Sequence, residues 1–250
     1  MSKYIWLIRH GESEGNLEGR IQGWQDFPLT NRGRRQAARL AERLAEENAI
    51  QEVITSPLAR AATTAEIIGA VLGLPIRYDD RLKEYNFGPI EGLTKAEIKE
   101  QFPLVWAAWQ LNEFWEPLPG EEGERTFEQR IRAAMTDIIN SLAEEAAVAV
   151  VMHGGAMNTC VRSWLGINER GWRTFAFDNA SVNLVQLQAK VLSGLDDDSE
   201  QEAFRMLGFV EQGDQVEYNY RMVLLNDTSH LGGLMGSRPA WFSGPRSSKT

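Results

Sequence analysis

Cysteine is almost absent from this chain: Cys160 is the single one in 250 residues. That excludes an intrachain disulfide and a zinc site built on several thiolates. Long apolar runs are missing too. The longest, Ala146 to Met152, falls far short of the roughly 20 residues a membrane-spanning helix needs, so no membrane association is expected. Basic residues are in deficit, with 26 Lys and Arg against 35 Asp and Glu and a formal charge of −9. A protein that grips a nucleic-acid backbone needs the opposite balance, and no nucleic-acid partner is expected. No charged leader or small-residue cleavage site precedes the strand-like run at Tyr4, so the expected location is the cytoplasm. Internal repeats and low-complexity tracts are also lacking. What remains is an ordinary globular composition, 43% hydrophobic and 24% charged, in a length that suits one α/β domain carrying a small cap.

The pattern along the chain predicts alternating strands and helices. Tyr4 to Ile8 is a short β-branched and aromatic run, and from Thr30, an N-cap residue, Ala37, Leu40, Ala41, Leu44 and Ala45 recur at helical spacing. Glu52 to Thr55 reads as a second strand. It leads into Ser56-Pro57, where serine can cap a helix and proline can fill its first position, and that helix runs to about Leu72 before Gly73. Pro75 to Tyr78 reads as a third strand. Thr126 and Gln129 have the spacing of a capping box, ahead of a helical face made by Phe127, Ile131, Ala134, Ile138 and Leu142. Ala147 to Met152 is continuously apolar, as strands buried on both faces are. Beyond Asn179, strands are expected at Ser181 to Gln188, Ala203 to Val210 and Tyr218 to Leu225, with Asp196-Asp197-Asp198 in a solvated turn. This order predicts an α/β three-layer sandwich with a mostly parallel central sheet and helices on both faces. One domain is expected over residues 1–235, with a cap inserted at about 91–125 and an irregular tail over 236–250.

Two of the three histidines directly follow apolar strands and precede glycine: His10 in Ile8-Arg9-His10-Gly11-Glu12, and His153 in Val151-Met152-His153-Gly154-Gly155. In an open parallel sheet the carboxyl ends of the strands form the ligand crevice, so both imidazoles are expected to project into it. A single histidine so placed reads as a core or surface residue. A matched pair, one of them beside Arg9, reads as a site. Arg60, in the first turns of a helix that follows a strand, adds a guanidinium where the helix terminus is already positive. Helix stability does not account for an arginine there; anion binding does.

Arg9-His10-Gly11-Glu12 with Asn16, Leu29-Thr30 with Gly33 and Gln36-Ala37, Ser56-Pro57 through Arg60-Ala61 to Thr64-Ala65, and His153-Gly154-Gly155 together resemble the histidine phosphatase superfamily, or phosphoglycerate-mutase-like family, over Lys3 to about Gly166. The resemblance implies a phosphoric monoester hydrolase of the histidine acid type, acting on a small-molecule phosphomonoester without a metal or other cofactor. His10 would be the nucleophile and form a phosphohistidine, while Arg9, Arg60 and His153 would surround the equatorial oxygens. Asn16, Gln22, Gly23 and the backbone around Gly154 and Gly155 would complete substrate binding. Glu84, in Leu82-Lys83-Glu84-Tyr85-Asn86-Phe87-Gly88, would protonate the leaving alkoxide and later activate water, with Glu91 as the alternative acid. Ile90 stands where many members of the family carry tryptophan.

The cap bears on the choice of reaction. Mutases of the family grip a second anionic group with paired arginines in a longer insert. Here Trp106, Trp109, Phe114 and Trp115 stand beside Glu113, Glu116, Glu121, Glu122 and Glu124. Such a cap is expected to repel a bisphosphate and to suit a monoester with an uncharged, apolar or amine-bearing remainder. Phe102, Trp106 and Trp109, at helical spacing, read as cap core more than as substrate contacts. A phosphatase therefore ranks first; a cofactor-dependent phosphoglycerate mutase and a non-catalytic phospho-ligand binding module are the alternatives. A homodimer is compatible with the sequence, and His230 has no assigned role.

Overall fold

Strands form where β-branched and aliphatic residues concentrate, and their order in the sheet sets where the loops meet. The computed structural model describes residues 2–47, 49–111, 115–167, 174–189 and 218–234. Its six strands, β1 (Ser2–Arg9), β2 (Ile50–Thr55), β3 (Ile76–Tyr78), β4 (Ala147–Met152), β5 (Val182–Ala189) and β6 (Tyr218–Asp227), make one sheet in the order β3-β2-β4-β1-β5-β6. The first four in that order run parallel, and β5 and β6 join antiparallel at one side. All six residues of β4 are buried between parallel neighbours, which is why its sequence is continuously apolar rather than alternating.

Alternation along β1 sends Trp6 and Ile8 to one face and Ile5 and Leu7 to the other. After the short α1 (Glu14–Glu18), α2 (Asn31–Glu47) and α3 (Ala59–Leu72) cover the first face through Leu40, Ala41, Leu44, Ala61, Ala65 and Ile68. The second face is covered by α6 (Glu124–Ser141) and α7 (Gly154–Trp164), through Ile131, Ala134, Ile138, Met157 and Val161. Each fully buried Leu or Ile contributes about 1.5–3 kcal/mol, so these faces, more than helix propensity, hold the helices in place. The architecture is the expected three-layer sandwich. Among the described residues no helix is long and apolar enough to cross a membrane.

Two helix starts differ from the expectation. α3 begins at Ala59 rather than Pro57: the Ser56 hydroxyl accepts the Leu58 N–H at 3.3 Å while lying 2.8 Å from His153 Nε2, and the Ala59 N–H donates to Asp26 Oδ1 at 2.7 Å. α6 begins at Glu124, upstream of the Thr126 and Gln129 pair. Gly123, with a φ of 78°, turns the chain there, and Glu122 receives a two-pronged bond from Arg130 at 2.7 and 2.8 Å that fixes the first two turns. The Thr30 cap is present, its hydroxyl accepting the Gly33 N–H at 2.9 Å.

Between β3 and β4 the chain adds α4 (Lys95–Gln101) and α5 (Pro103–Gln110). With Ile90, Ile98 and Val105 buried against Ile21, Phe102, Trp106, Trp109 and Trp115, this insertion has an apolar core of its own. The strand expected at Ala203 to Val210, the acids at 196–198, the tail over 236–250, Glu113 and Phe114 lie outside the described residues.

Candidate active site

β1 and β4 are neighbours in register, with Arg9 opposite Met152, so the residues that follow, His10 and His153, leave the sheet side by side. Both are buried, with ring centroids 5.2 Å apart. β2 flanks β4 on its other side and delivers Ser56 and Arg60 to the same end of the sheet. A cavity of about 270 Å³ opens there, lined by Arg9, His10, Asn16, Gln22, Gly23, Arg60, Glu84, Gly154 and Gly155. His153 stands behind that lining, between His10 and Ser56.

The hydrogen bonds define the tautomer of His10. His10 Nδ1 lies 2.7 Å from the Gly11 carbonyl, which can only accept, so Nδ1 carries the proton and Nε2 keeps its lone pair. Burial, helped by the nearby Arg60 and Arg9 charges, holds this imidazole well below its ordinary pKa and therefore neutral. Ser56 Oγ accepts the Leu58 N–H at 3.3 Å and lies 2.8 Å from His153 Nε2. A bond donated by this hydroxyl to Nε2 places the ring proton of His153 on Nδ1. Burial, followed by the Arg60 charge, also holds His153 well below its ordinary value.

The guanidinium groups are fixed by main-chain carbonyls. Arg9 NH1 donates to Phe177 O, and Arg60 donates to Gly23 O at 2.7 Å and Gln25 O at 3.1 Å. Burial lowers the pKa of both, that of Arg60 to about 10, and at neutral pH both remain cations. Arg9 Nε, Arg60 Nε and His153 Nδ1 are buried without a hydrogen-bond partner. Leaving such a group without a partner costs about 1–3 kcal/mol, more when charged; Arg9 and Arg60 line the cavity and His153 stands behind it. Asn16 Oδ1 is bound by the Ser13 N–H at 3.2 Å and by Asn179 Nδ2 at 3.0 Å, which orients its amide NH2 as the free polar end. Gln22 is anchored through Oε1 to the Ser13 hydroxyl at 2.7 Å.

Glu84 accepts the Tyr85 N–H on Oε1 at 2.9 Å and the Gly155 N–H on Oε2 at 2.8 Å. Gly155 is in the first turn of α7, so the positive helix end faces both the carboxylate and the cavity. Its amide is thereby committed to Glu84. A Cβ at this position would meet Glu84 Oε1 at 2.4 Å. The alternative acid, Glu91, is absent from the cavity lining. Its carboxylate is occupied by the N–H groups of Trp24, Gln25 and Phe87 at 2.8–3.0 Å, and so clamps the loop whose carbonyls hold Arg60.

Two of the cap acids, Glu121 and Glu122, do not face the cavity as expected. Glu121 is turned onto Tyr85 Oη, Trp115 Nε1 and the Leu118 N–H, and Glu122 onto Arg130 and the Asn86 N–H. Among the described residues that line the cavity, Glu84 is the one carboxylate, against the cations Arg9, Arg20, Arg60 and Lys95. Trp109 and Trp115 pack in the cap core and also line the cavity, together with Phe87, Phe175 and Phe177. Of the five cap acids, Glu121 and Glu122 are thus consumed by internal bonds that sequence spacing does not reveal, which removes two of the charges expected to repel a second anion; Glu113 lies outside the described residues. Sequence reasoning does not find Arg20, Asp178 and Asn179, which reach the site through loops with no local signature, or Lys95, which opens α4 and whose Thr94–Glu97 capping box marks a helix start but not a site.

A family model described as histidine phosphatase superfamily (branch 1) matches residues 5–193, extending past Gly166 to include β5. A Hydrogenobacter thermophilus protein named "Putative phosphoserine phosphatase 2" is 31% identical over 188 residues, 75% of this chain and 91% of that one. The "Probable phosphoglycerate mutase GpmB" of Salmonella choleraesuis is 32% identical over 74% of this chain and 85% of its own. Among solved structures, mycobacterial glucosyl-3-phosphoglycerate phosphatase is similar with a TM-score of 0.72 and 26% identity, covering 90% of this chain and 99% of that one.

Proposed function

The chain belongs to the histidine phosphatase superfamily, branch 1, and on that premise we propose that it hydrolyses a small-molecule phosphomonoester through a phosphohistidine at His10. The observation that carries the reading is the trio of buried donors without partners, Arg9 Nε, Arg60 Nε and His153 Nδ1, beside an imidazole kept neutral. His10 Nε2 attacks phosphorus; the N–P bond forms as the bond to the leaving oxygen breaks, and Glu84 gives that oxygen its proton. Water then attacks phosphorus, Glu84 takes its proton, and the N–P bond breaks to release phosphate and neutral His10. Arg9, Arg60, His153 and the Asn16 amide hold the nonbridging oxygens, where the charge of the transition state is spread. The depressed pKa of His10 keeps the nucleophile neutral below pH 6.5, which supports a phosphatase of the acid type. Every group named lies on one chain within a single capped domain, so the proposed activity does not depend on a homodimer.

The rest of the cavity bears on the substrate. Lys95 and Arg20, the latter also bonded to Glu18 and the Gly92 carbonyl, line the cavity among aromatic walls and suit a phosphomonoester that carries a second anionic group on a partly apolar body. The names of two relatives, a phosphoserine phosphatase and a glucosyl-3-phosphoglycerate phosphatase, support that choice, since both describe carboxylate-bearing monoesters. The same two cations favour a mutase as the second reading, in line with the Salmonella relative. The test is a panel of phosphomonoesters assayed for inorganic phosphate in the presence of a chelator. Release of phosphate, faster from carboxylate-bearing esters than from neutral ones, is expected. Interconversion of 2- and 3-phosphoglycerate without net phosphate release would select the mutase, and binding without either reaction would overturn both enzyme readings.

A further inference from the structure

Residues 177–181, of which Phe177 also lines the cavity, hold the end of β1 that carries His10. Phe177 O receives Arg9, Asn179 Nδ2 donates to His10 O at 3.2 Å and to Asn16 Oδ1 at 3.0 Å, and the Ala180 N–H donates to His10 O at 3.1 Å. Ala180 adopts a φ of 56°, a left-handed conformation that costs a residue with a Cβ about 1–2 kcal/mol. The turn persists because it is braced from behind. Asn226 accepts the Asp178 N–H at 2.7 Å and donates to Asp178 Oδ2 at 2.9 Å. His230, in the short helical segment Ser229–Leu234 after β6, places Nε2 3.0 Å from Ala180 O and Nδ1 3.2 Å from Arg43 NH1, while Arg43 NH2 pairs with Asp227 Oδ2 at 2.5 Å. Arginine only donates, so His230 Nδ1 accepts, and the ring proton on Nε2 is directed at Ala180.

We propose that His230 is a positioning residue for the nucleophile: the chain of Asp227, Arg43 and His230 fixes the Ala180 carbonyl and, through the Ala180 N–H, the backbone of His10. The inference rests on the reading of His10 as the attacking group. His230 is absent from the cavity lining and acts on the reaction only through the turn. Without its hydrogen bond the strained turn can relax and His10 can shift, and a misplacement of about 1 Å costs on the order of 100-fold in rate.

His230→Phe keeps the ring volume and removes both hydrogen bonds, whereas His230→Gln can restore the N–H that Ala180 receives. The readout is rapid-quench formation of the phosphoenzyme in the full chain, where the amplitude counts competent sites and the rate reports attack by His10. His230→Phe is expected to form phosphoenzyme about 10- to 100-fold more slowly per competent site, with KM changed much less, and His230→Gln to recover most of the rate. A folded His230→Phe with the wild-type rate, or a His230→Gln as slow as the phenylalanine variant, overturns the proposal. If His230→Phe does not fold, Arg43→Met, which frees His230 to take the other tautomer, replaces it with the same expectation and the same contrary result. A wild-type chain that forms no phosphoenzyme overturns the reading of His10 and this inference with it.

Discussion

One hydroxyl stands beside His153 where its tautomer is set. Ser56 Oγ accepts the Leu58 N–H and lies 2.8 Å from His153 Nε2, and a bond donated to Nε2 places the ring proton on Nδ1, the tautomer that the proposed reaction uses. Ser56→Ala removes that preference and is expected to lower kcat about tenfold, the worth of one hydrogen bond of roughly 1–1.5 kcal/mol. Steady-state kinetics with a folded variant check this, and an unchanged kcat would mean that the tautomer is set elsewhere. At this scale the sequence is legible where function rides on the end of a strand. His10, Arg9, His153 and Arg60 follow apolar runs, and topology brings them together. Ser56 reads locally as a helix cap, because the same hydroxyl serves either purpose and only the tertiary neighbour selects between them. Asp178 and Asn179 carry no local pattern at all.

Among the elements, α7 does two things with one turn. Its first amides form a positive helix end, and Gly155, lacking a Cβ, lets Glu84 approach to 2.8 Å. In Gly155→Ala the new Cβ would sit 2.4 Å from Glu84 Oε1, the tip of a flexible side chain, so the helix survives while the acid is displaced. The expected result depends on the leaving group. An alkyl phosphate, which leaves as a basic alkoxide, should lose about 10²–10⁴ in rate, whereas the phosphorylation step with p-nitrophenyl phosphate should lose far less. Equal losses for both esters, compared by rapid-quench phosphorylation, would remove Glu84 from the role of acid. Elements are readable from sequence in proportion to how far local pattern decides them. The run Ala147 to Met152 predicts β4 residue for residue, because a central parallel strand needs only continuous burial. The starts of α3 and α6 depend on Asp26, His153 and Arg130, partners distant in sequence, and so were misplaced.

For the whole molecule, average charge and local field point in opposite directions. The chain carries −9 overall, yet the described lining of its cavity sets four cations against one carboxylate. Composition reports only the average field; locally, Glu121 and Glu122 of the cap are turned onto internal partners and basic side chains outnumber Glu84 on the lining. Three histidines, His10, His153 and His230, are held below their ordinary pKa chiefly by burial. The unfolded chain then binds more protons than the folded one below about pH 6.5, so stability is complete above that pH and falls as pH drops through the folded-state pKa values. Thermal midpoints should decline below about pH 6.5 and rise at fixed pH when inorganic phosphate occupies the donors that lack partners. A midpoint flat across this range would contradict their burial as neutral rings. The central claim is that His10 carries the phosphoryl group. Its most direct test is to mix the protein with p-nitrophenyl phosphate, quench in alkali, digest, and map the phosphorylated residue by mass spectrometry. The account predicts a base-stable, acid-labile phosphate on the His10 peptide, lost together with turnover in His10→Ala; phosphate on another residue, or turnover that survives in His10→Ala, would contradict it.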